Sequence, residues 1–148
     1  MTTPSSHTYA GDISVEEAWA LLSGAPAAQL IDVRTMAEWS FVGVPDLSAL
    51  GREVHCIEWQ NFPTMGTNPD FAAEAASAVT AAGAALDTPV LLLCRSGARS
   101  RMAAMALAQA GFSKAYNVAG GFEGDLDGER HRGRRNGWKA ANLPWRQS

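Results

Sequence analysis

The sequence predicts an α/β protein in which a central parallel β-sheet carries helices on both faces. Strand-like segments alternate with helix-like segments along the chain. The strand-like segments are apolar throughout, as strands buried on both faces of a parallel sheet are. With 148 residues, of which 47% are hydrophobic and 18% charged, the chain fits one domain over residues 1–148.

The first half of the chain supplies a helix, a strand, a second helix and a second strand. Residues 13–24 read as a helix because Ser14 and Glu17 form a capping box and Gly24 ends the apolar periodicity. One face of this helix carries Val15, Ala18, Trp19 and Leu22. Residues 28–34 form a short strand, residues 35–43 a helix capped by Thr35, and residues 53–59 another strand.

The second half continues the alternation after a long connection at residues 58–70. We predict a long Ala-rich helix at 68–86, a strand at 88–94, a helix at 98–111 that ends at Gly111, and a last strand at 114–121. The helix at 98–111 is expected to face the sheet with Met102, Ala103, Ala106, Leu107 and Ala110.

Charge and composition exclude several classes of protein. Residues 1–12 form an N-terminal segment without a secretory signal, and residues 71–86 are too short and too interrupted to span a bilayer. The net charge of −3 divides into +5 over a basic C-terminal segment, 129–148, and −8 over the rest. This segment is either a solvated surface or a docking patch for an acidic partner, and the acidic remainder argues against nucleic acid. We expect a soluble, cytoplasmic protein that binds no membrane.

The turn after the strand at 88–94 combines a thiol with basic and flexible residues. Cys94 ends the strand, where ligands of parallel α/β folds gather. Gly97 permits a tight turn, and the backbone of Ser96, Gly97 and Ala98 can direct N–H groups at the sulfur as an anion cradle. The following helix dipole and the side chains Arg95, Arg99 and Arg101 favour the thiolate, which is the nucleophilic form.

Three stretches of the sequence resemble the motifs of the rhodanese-like sulfurtransferases. They are "LIDVRTMAEW", "CRSGARS" and "GFSKAYNVAGGFEG", in that order, and the ending "HRGRRNGWKAANLPWRQ" is similar to that of small single-domain bacterial members. The resemblance implies a single rhodanese-like domain, a catalytic Cys94 and a persulfide formed on it. It also implies that Asp32 and Arg34 lie near the active loop as supports, although both residues are equally consistent with simply ending a strand.

The predicted reaction is that of a thiosulfate sulfurtransferase. Thiosulfate is a dianion whose outer sulfur is electrophilic, so the Cys94 thiolate attacks it and sulfite leaves. An acceptor such as cyanide or a thiol then takes the sulfur from Cys94, which completes a ping-pong cycle. A persulfide donor is an alternative source of sulfur. Arg95 and Arg99 are the candidates for attracting the anion, and the loop extends to Ser100. We expect no cofactor and no metal.

Two rival functions remain beside sulfur transfer. Cysteine-dependent phosphatases and arsenate reductases place an arginine six residues after the cysteine, whereas here Ser100 stands at that position and Arg99 one place earlier. The loop is therefore one residue short for a phosphoryl group. A non-catalytic rhodanese module that only binds partners is the other rival, but such modules commonly lack the cysteine.

Other candidate residues carry weaker signals. Cys56 is a possible resolving thiol for Cys94, but a strand at 53–59 favours its burial. His7, His55 and His131 are too scattered to indicate a metal site. The connection at 58–70 is either a wall of the entrance to Cys94, with Phe62 and Met65 as an apolar rim, or a plain crossover.

Overall fold

The computed structural model describes residues 9–147. Five parallel strands form the central sheet in the order β1-β8-β7-β2-β4. They are β1 (Gly11–Ile13), β2 (Gln29–Asp32), β4 (His55–Cys56), β7 (Val90–Leu93) and β8 (Ala115–Val118). Two small antiparallel pairs accompany this sheet: β3 (Val44–Pro45) with β9 (Trp145–Arg146), and β5 (Gln60–Asn61) with β6 (Gly66–Thr67).

Four α-helices and one short 3-10 helix complete the fold over the residues that the structure describes. They are α1 (Val15–Gly24), α2 (Met36–Val42), α3 (Phe71–Ala81), α4 (Ala98–Gln109) and the 3-10 helix Ser48–Leu50. Capping boxes begin the first two α-helices, because Ser14 pairs with Glu17 and Thr35 pairs with Glu38. The predicted α/β class with a central parallel sheet is therefore confirmed.

The sheet separates two apolar cores. Alternate residues of β7 point to opposite faces, so that Leu92 and Cys94 contact the core beneath α3 and α4, whereas Leu91 and Leu93 contact the core beneath α1. Trp138 lies in the second core and is fully buried. The C-terminal segment thus helps to cover one face of the sheet.

Several boundaries predicted from the sequence are wrong. The helix predicted at 68–86 ends at Ala81, where Gly83 adopts a positive φ of 105°. The strand predicted at 53–59 is reduced to two residues, because β4 is an edge strand that pairs only with β2. The strand β1 was not predicted, and the predicted last strand is followed by β9.

Two expectations about side-chain burial also fail. Cys56, predicted to be buried, is exposed because its edge strand has a neighbour on one side only. Met102 and Ala110, predicted to face the sheet, are exposed, whereas the predicted Ala103 and Leu107 are buried together with Ser100 and Ala104. The buried face of α4 therefore includes a polar residue, Ser100, that its Met and Ala pattern does not indicate.

Candidate functional site

The site is built where β7 ends and α4 begins. Cys94 directly follows β7, and Gly97 is the N-terminal cap of α4 with a φ of 118°. That left-handed conformation, which favours glycine, lets the chain reverse from strand to helix within three residues. The turn directs the Gly97 N–H at the Cys94 sulfur, 3.1 Å away.

The loop offers further backbone donors near this sulfur. Within residues 9–147, the N–H groups of Ser96, Ala98 and Arg99 have no hydrogen-bond acceptor. The first N–H groups of a helix lack partners within the helix and carry the positive end of its dipole. Together they make a positively polarised cradle that suits an anion beside Cys94.

Cys94 itself is buried, with 1% of its surface exposed. Besides Gly97, its sulfur has a polar neighbour in the fully buried Ser100, whose Oγ lies 3.2 Å away. A burial this complete keeps bulk water away from the thiol.

The two arginines predicted to attract substrate differ in their surroundings. Arg99 donates two hydrogen bonds to Glu38, at 2.7 and 2.9 Å, in a pair whose side chains are each 20% exposed. Arg95 is exposed and forms no ion pair with any described residue. Among the described residues, Arg95 and the exposed Arg101 therefore carry charges that no ion pair neutralises, whereas Arg99 joins α4 to α2.

The Glu38–Arg99 pair also shifts both ionisation equilibria. Desolvation opposes the charge on Glu38, but the hydrogen bonds and charge of Arg99, together with Thr35, lower the pKa of Glu38 to about 2. The hydrogen bonds that Arg99 donates to Glu38 correspondingly raise the pKa of Arg99. Both side chains of the pair are therefore charged at neutral pH.

Asp32 and Arg34 lie behind the loop as a buried ion pair. Their closest atoms are 2.6 Å apart, and neither side chain is exposed. Arg34 also donates to the carbonyl of Gly43 and lies 4.2 Å from the ring centre of Phe122. Because the Phe122 N–H donates to the Cys94 carbonyl, the pair supports the backbone of the site through Phe122.

The segment after β8 holds the start of the loop. Gly121 adopts a φ of 66°, and the next residues donate to the loop carbonyls: Phe122 to Cys94, and Glu123 and Gly124 to Arg95. A Cβ at Gly121 would lie 2.5 Å from the backbone of Cys94 and Arg95. Glycine is thus required at this close contact between two backbones.

Cys56 lies on the edge strand β4, away from the loop that carries Cys94. It lies opposite Asp32 in the parallel register, and Asp32 lies opposite Leu93, so two strand spacings of about 4.8 Å separate β4 from β7. A disulfide between Cys56 and Cys94 would require Cα atoms within about 7 Å. The thiol of Cys56 lies in the wall of a cavity, where its partial desolvation and the charge of Asp32 raise its pKa to about 12.

The cavity at Cys56 occupies about 460 Å³. Its walls come from α2, from β4 and the residue after it, from the connection at 58–70 and from α3, and they are Met36, Trp39, Cys56, Ile57, Glu58, Asn61, Asn68 and Glu74. None of the loop residues 94–100 lines it. The connection at 58–70 therefore borders the Cys56 cavity, and its side chains Phe62 and Met65 are 47% and 40% exposed.

Some functional contacts had no signal in the sequence. Glu38 was recognisable only as a partner of the Thr35 cap, and nothing linked it to Arg99, 61 residues away. The contacts of Ser100 with Asn117, and of Gly121 with Arg95, likewise arise only in three dimensions. Of the histidines, His7 lies outside the described residues, and His131 neighbours Asp127 and Glu129 at the surface.

Comparison with known proteins gives the family. A family model described as the STR4 middle domain matches residues 10–148. The chain belongs to the STR4 middle domain family. Among the relatives of this chain, an uncharacterized protein of Rickettsia prowazekii is 36% identical over 118 residues, covering 80% of this chain and 82% of the relative.

Two solved structures resemble the structure of this chain. The crystal structure of Rv0390 from M. tuberculosis is 51% identical, has a TM-score of 0.85, and is matched over 95% of this chain and 100% of that one. A polysulfide-sulfur transferase homodimer from Wolinella succinogenes is 23% identical with a TM-score of 0.57, over 93% and 78% of the two chains. The predicted fold, a central parallel sheet with helices on both faces, is therefore shared with that transferase. No helix within residues 9–147 has the length and apolarity needed to cross a membrane.

Proposed function

We propose that this protein is a sulfurtransferase that carries a sulfane sulfur as a persulfide on Cys94. The observation that carries the proposal is the position of the Cys94 sulfur at the N-terminus of α4, where Gly97 N–H donates to it and neighbouring N–H groups stay unpaired. An anionic donor such as thiosulfate fits this cradle. The fold shared with a polysulfide-sulfur transferase supports the same class of chemistry.

The first half of the reaction loads the cysteine. The Cys94 thiolate attacks the outer sulfur of thiosulfate, a new S–S bond forms, and the old S–S bond breaks with its electron pair leaving on sulfite. The two reactants and the two products carry the same total charge, so no proton needs to move. The loop N–H groups, with Arg95 at the rim, offset the negative charge that accumulates on the sulfur atoms.

The second half unloads the cysteine. Cyanide or a cellular thiolate attacks the terminal sulfur of the persulfide, and the electron pair of the broken S–S bond returns to Cys94 as a thiolate. The same N–H groups stabilise this leaving thiolate. All the groups needed belong to the chain itself, and Asp32, Arg34 and Arg99 act by holding the loop in place.

The phosphatase alternative has less support. Ser100 occupies the position where such enzymes carry their phosphate-binding arginine, and it is buried against the sulfur. Arg99, one position earlier, is committed to Glu38. A tetrahedral phosphoryl group would thus meet no free guanidinium at the position where that class requires one.

The deciding experiment is a mass measurement of the intact protein after incubation with thiosulfate or with polysulfide. We expect a gain of one sulfur atom that cyanide removes, and we expect Cys56→Ser to gain it as well. Cys94→Ser should gain nothing. Failure of the unsubstituted protein to gain sulfur from either donor would favour a binding module, and Cys94-dependent hydrolysis of an aryl phosphate would favour a phosphatase.

A further inference from the structure

Two buried polar side chains meet directly behind the Cys94 sulfur. Ser100 on α4 and Asn117 on β8 are 0% and 3% exposed. The Ser100 Oγ lies 2.5 Å from Asn117 Oδ1 and 3.2 Å from the Cys94 sulfur. A helix face that packs on a sheet ordinarily carries apolar residues, so this polar pair requires an explanation.

A surface carboxylate fixes the orientation of the buried amide. Asp12 lies beside Asn117 in the β1–β8 register, and its Oδ1 accepts hydrogen bonds from Asn117 Nδ2, at 3.0 Å, and from the Tyr9 hydroxyl, at 2.8 Å. A carboxylate can only accept hydrogen bonds. Asn117 must therefore turn its amino group to Asp12 and its carbonyl oxygen to Ser100.

The number of protons on the Ser100 hydroxyl then decides whether it donates a hydrogen bond to the Cys94 sulfur or accepts one from it. A serine hydroxyl has one proton to donate, and Ser100 faces two acceptors. The shorter contact, to the Asn117 carbonyl, takes that proton. The resting Ser100 consequently presents a lone pair to Cys94, which suits a thiol that donates its own proton and does not suit a thiolate.

We infer that Asp12 and Asn117 are positioning residues that hold the Ser100 proton away from Cys94 at rest, and that Ser100 turns this proton to the sulfur when the sulfur becomes anionic. The inference rests on the proposed function, in which Cys94 is a thiolate before attack and again after the persulfide is discharged. No proton is transferred between residues, because the hydroxyl only rotates. The hydroxyl would then stabilise Cys94 as a leaving group.

The test follows the ionisation of Cys94 and needs no sulfur donor. In a Cys56→Ser background, the ultraviolet absorbance of the remaining thiolate is titrated with pH. Asn117→Leu releases the Ser100 proton to the sulfur, and we expect the titration midpoint to fall by about one pH unit, as for one hydrogen bond to a charged group. Ser100→Ala removes the donor, and we expect the midpoint to rise.

The double variant distinguishes an effect of Asn117 that acts through the Ser100 hydroxyl from a general disturbance of the core. If Asn117 acts through Ser100, Asn117→Leu should leave the midpoint unchanged once Ser100→Ala is present. An unshifted midpoint in Asn117→Leu alone, or an equal shift with and without Ser100, would overturn the inference. Persulfide formation is measured separately, so a protein that fails to take sulfur but shows these shifts contradicts only the proposed function.

An exposed position provides a variant that leaves the core intact. Asp12→Asn lets the Asn117 amide turn over, and we expect a larger fall of the midpoint with Ser100 present than with Ser100→Ala. Comparing the two backgrounds cancels the direct effect of the lost charge. Asp87→Asn removes another exposed carboxylate at the opposite end of the sheet, before β7, and should shift neither background. Equal shifts of the midpoint by Asp12→Asn in both backgrounds would contradict an effect that acts through the Ser100 hydroxyl.

Discussion

The contact between Gly121 and the active loop makes a quantitative prediction about Gly121→Ala. The new Cβ would lie 2.5 Å from the carbonyl groups of Cys94 and Arg95, whereas ordinary contacts begin near 3.4 Å, so the two backbones must separate by about 0.9 Å. Both partners are backbone, and the Phe122 and Glu123 hydrogen bonds hold them together. The strain has no flexible side chain to absorb it.

Two costs add at this position. Placing alanine in the left-handed region costs about 1–2 kcal/mol, and overpacking a tight contact costs about 1–3 kcal/mol. Gly51→Ala isolates the first cost, because Gly51 has a φ of 71°, against 66° at Gly121, and a methyl group added there would meet no atom within 4 Å. We expect the free energy of unfolding to fall by about 1–2 kcal/mol for Gly51→Ala and about 2–5 kcal/mol for Gly121→Ala.

Urea unfolding of both variants measures this difference, and persulfide formation on Cys94 reports its effect on the site. Gly121→Ala should also load sulfur more slowly, since its strain displaces the Arg95 carbonyl and with it the loop. Gly51→Ala should load at the rate of the unsubstituted protein. Equal unfolding free energies for the two variants would refute the close contact.

Three further outcomes follow from the site. Arg95→Ala should raise the KM for thiosulfate about tenfold, the effect of one charge-assisted hydrogen bond, and make KM less dependent on salt; an unchanged KM would leave the backbone as the sole anion binder. Because Cys56 is exposed, Cys56→Ser should lose less than about 0.5 kcal/mol of stability and keep its turnover, and a loss of turnover would implicate Cys56 in the reaction. The pKa of Glu38 is lowered from 4.5 to about 2, so its contribution to stability is complete above pH 4.5 and lost as the pH falls toward 2. Acid titration of stability should show this loss, up to about 3 kcal/mol, in the unsubstituted protein and not in Glu38→Gln; identical curves would show that the pair with Arg99 does not contribute.

Features specified by neighbouring residues could be predicted from the sequence. The start of α1 follows from Ser14 and Glu17, three residues apart, and the end of the apolar run at Cys94 locates both the end of β7 and the candidate nucleophile. These signals are local, since a cap or a strand-to-helix turn is decided within a few residues. The sequence accordingly located the loop without the structure.

Features that depend on distant pairing could not be predicted. β9 forms by pairing with β3, in which Trp145 lies opposite Pro45, a residue 100 positions earlier in the chain. β1 is three residues long, which is too short for a periodic pattern. The strand with Cys56 was overestimated because its apolar pattern indicates a strand but does not show that it lies at an edge. The neutralisation of Arg99 by Glu38 depends on how α2 docks beside α4, which no local signal reports.

The short outer strands of the central sheet bear on how the protein behaves at high concentration. β1 has three residues and β4 has two, whereas the three inner strands have four each. An outer strand exposes unpaired N–H and C=O groups that can recruit a strand from another molecule, and the risk grows with its length. Strands this brief offer few such groups, while the fully buried segments "QLID" and "VLLL" lie inside the sheet with both sides occupied. Strand addition to the longer inner strands would first require β4 to detach from β2 or β1 to detach from β8, which makes these two margins the ones to reinforce in any effort to keep the protein dispersed during storage.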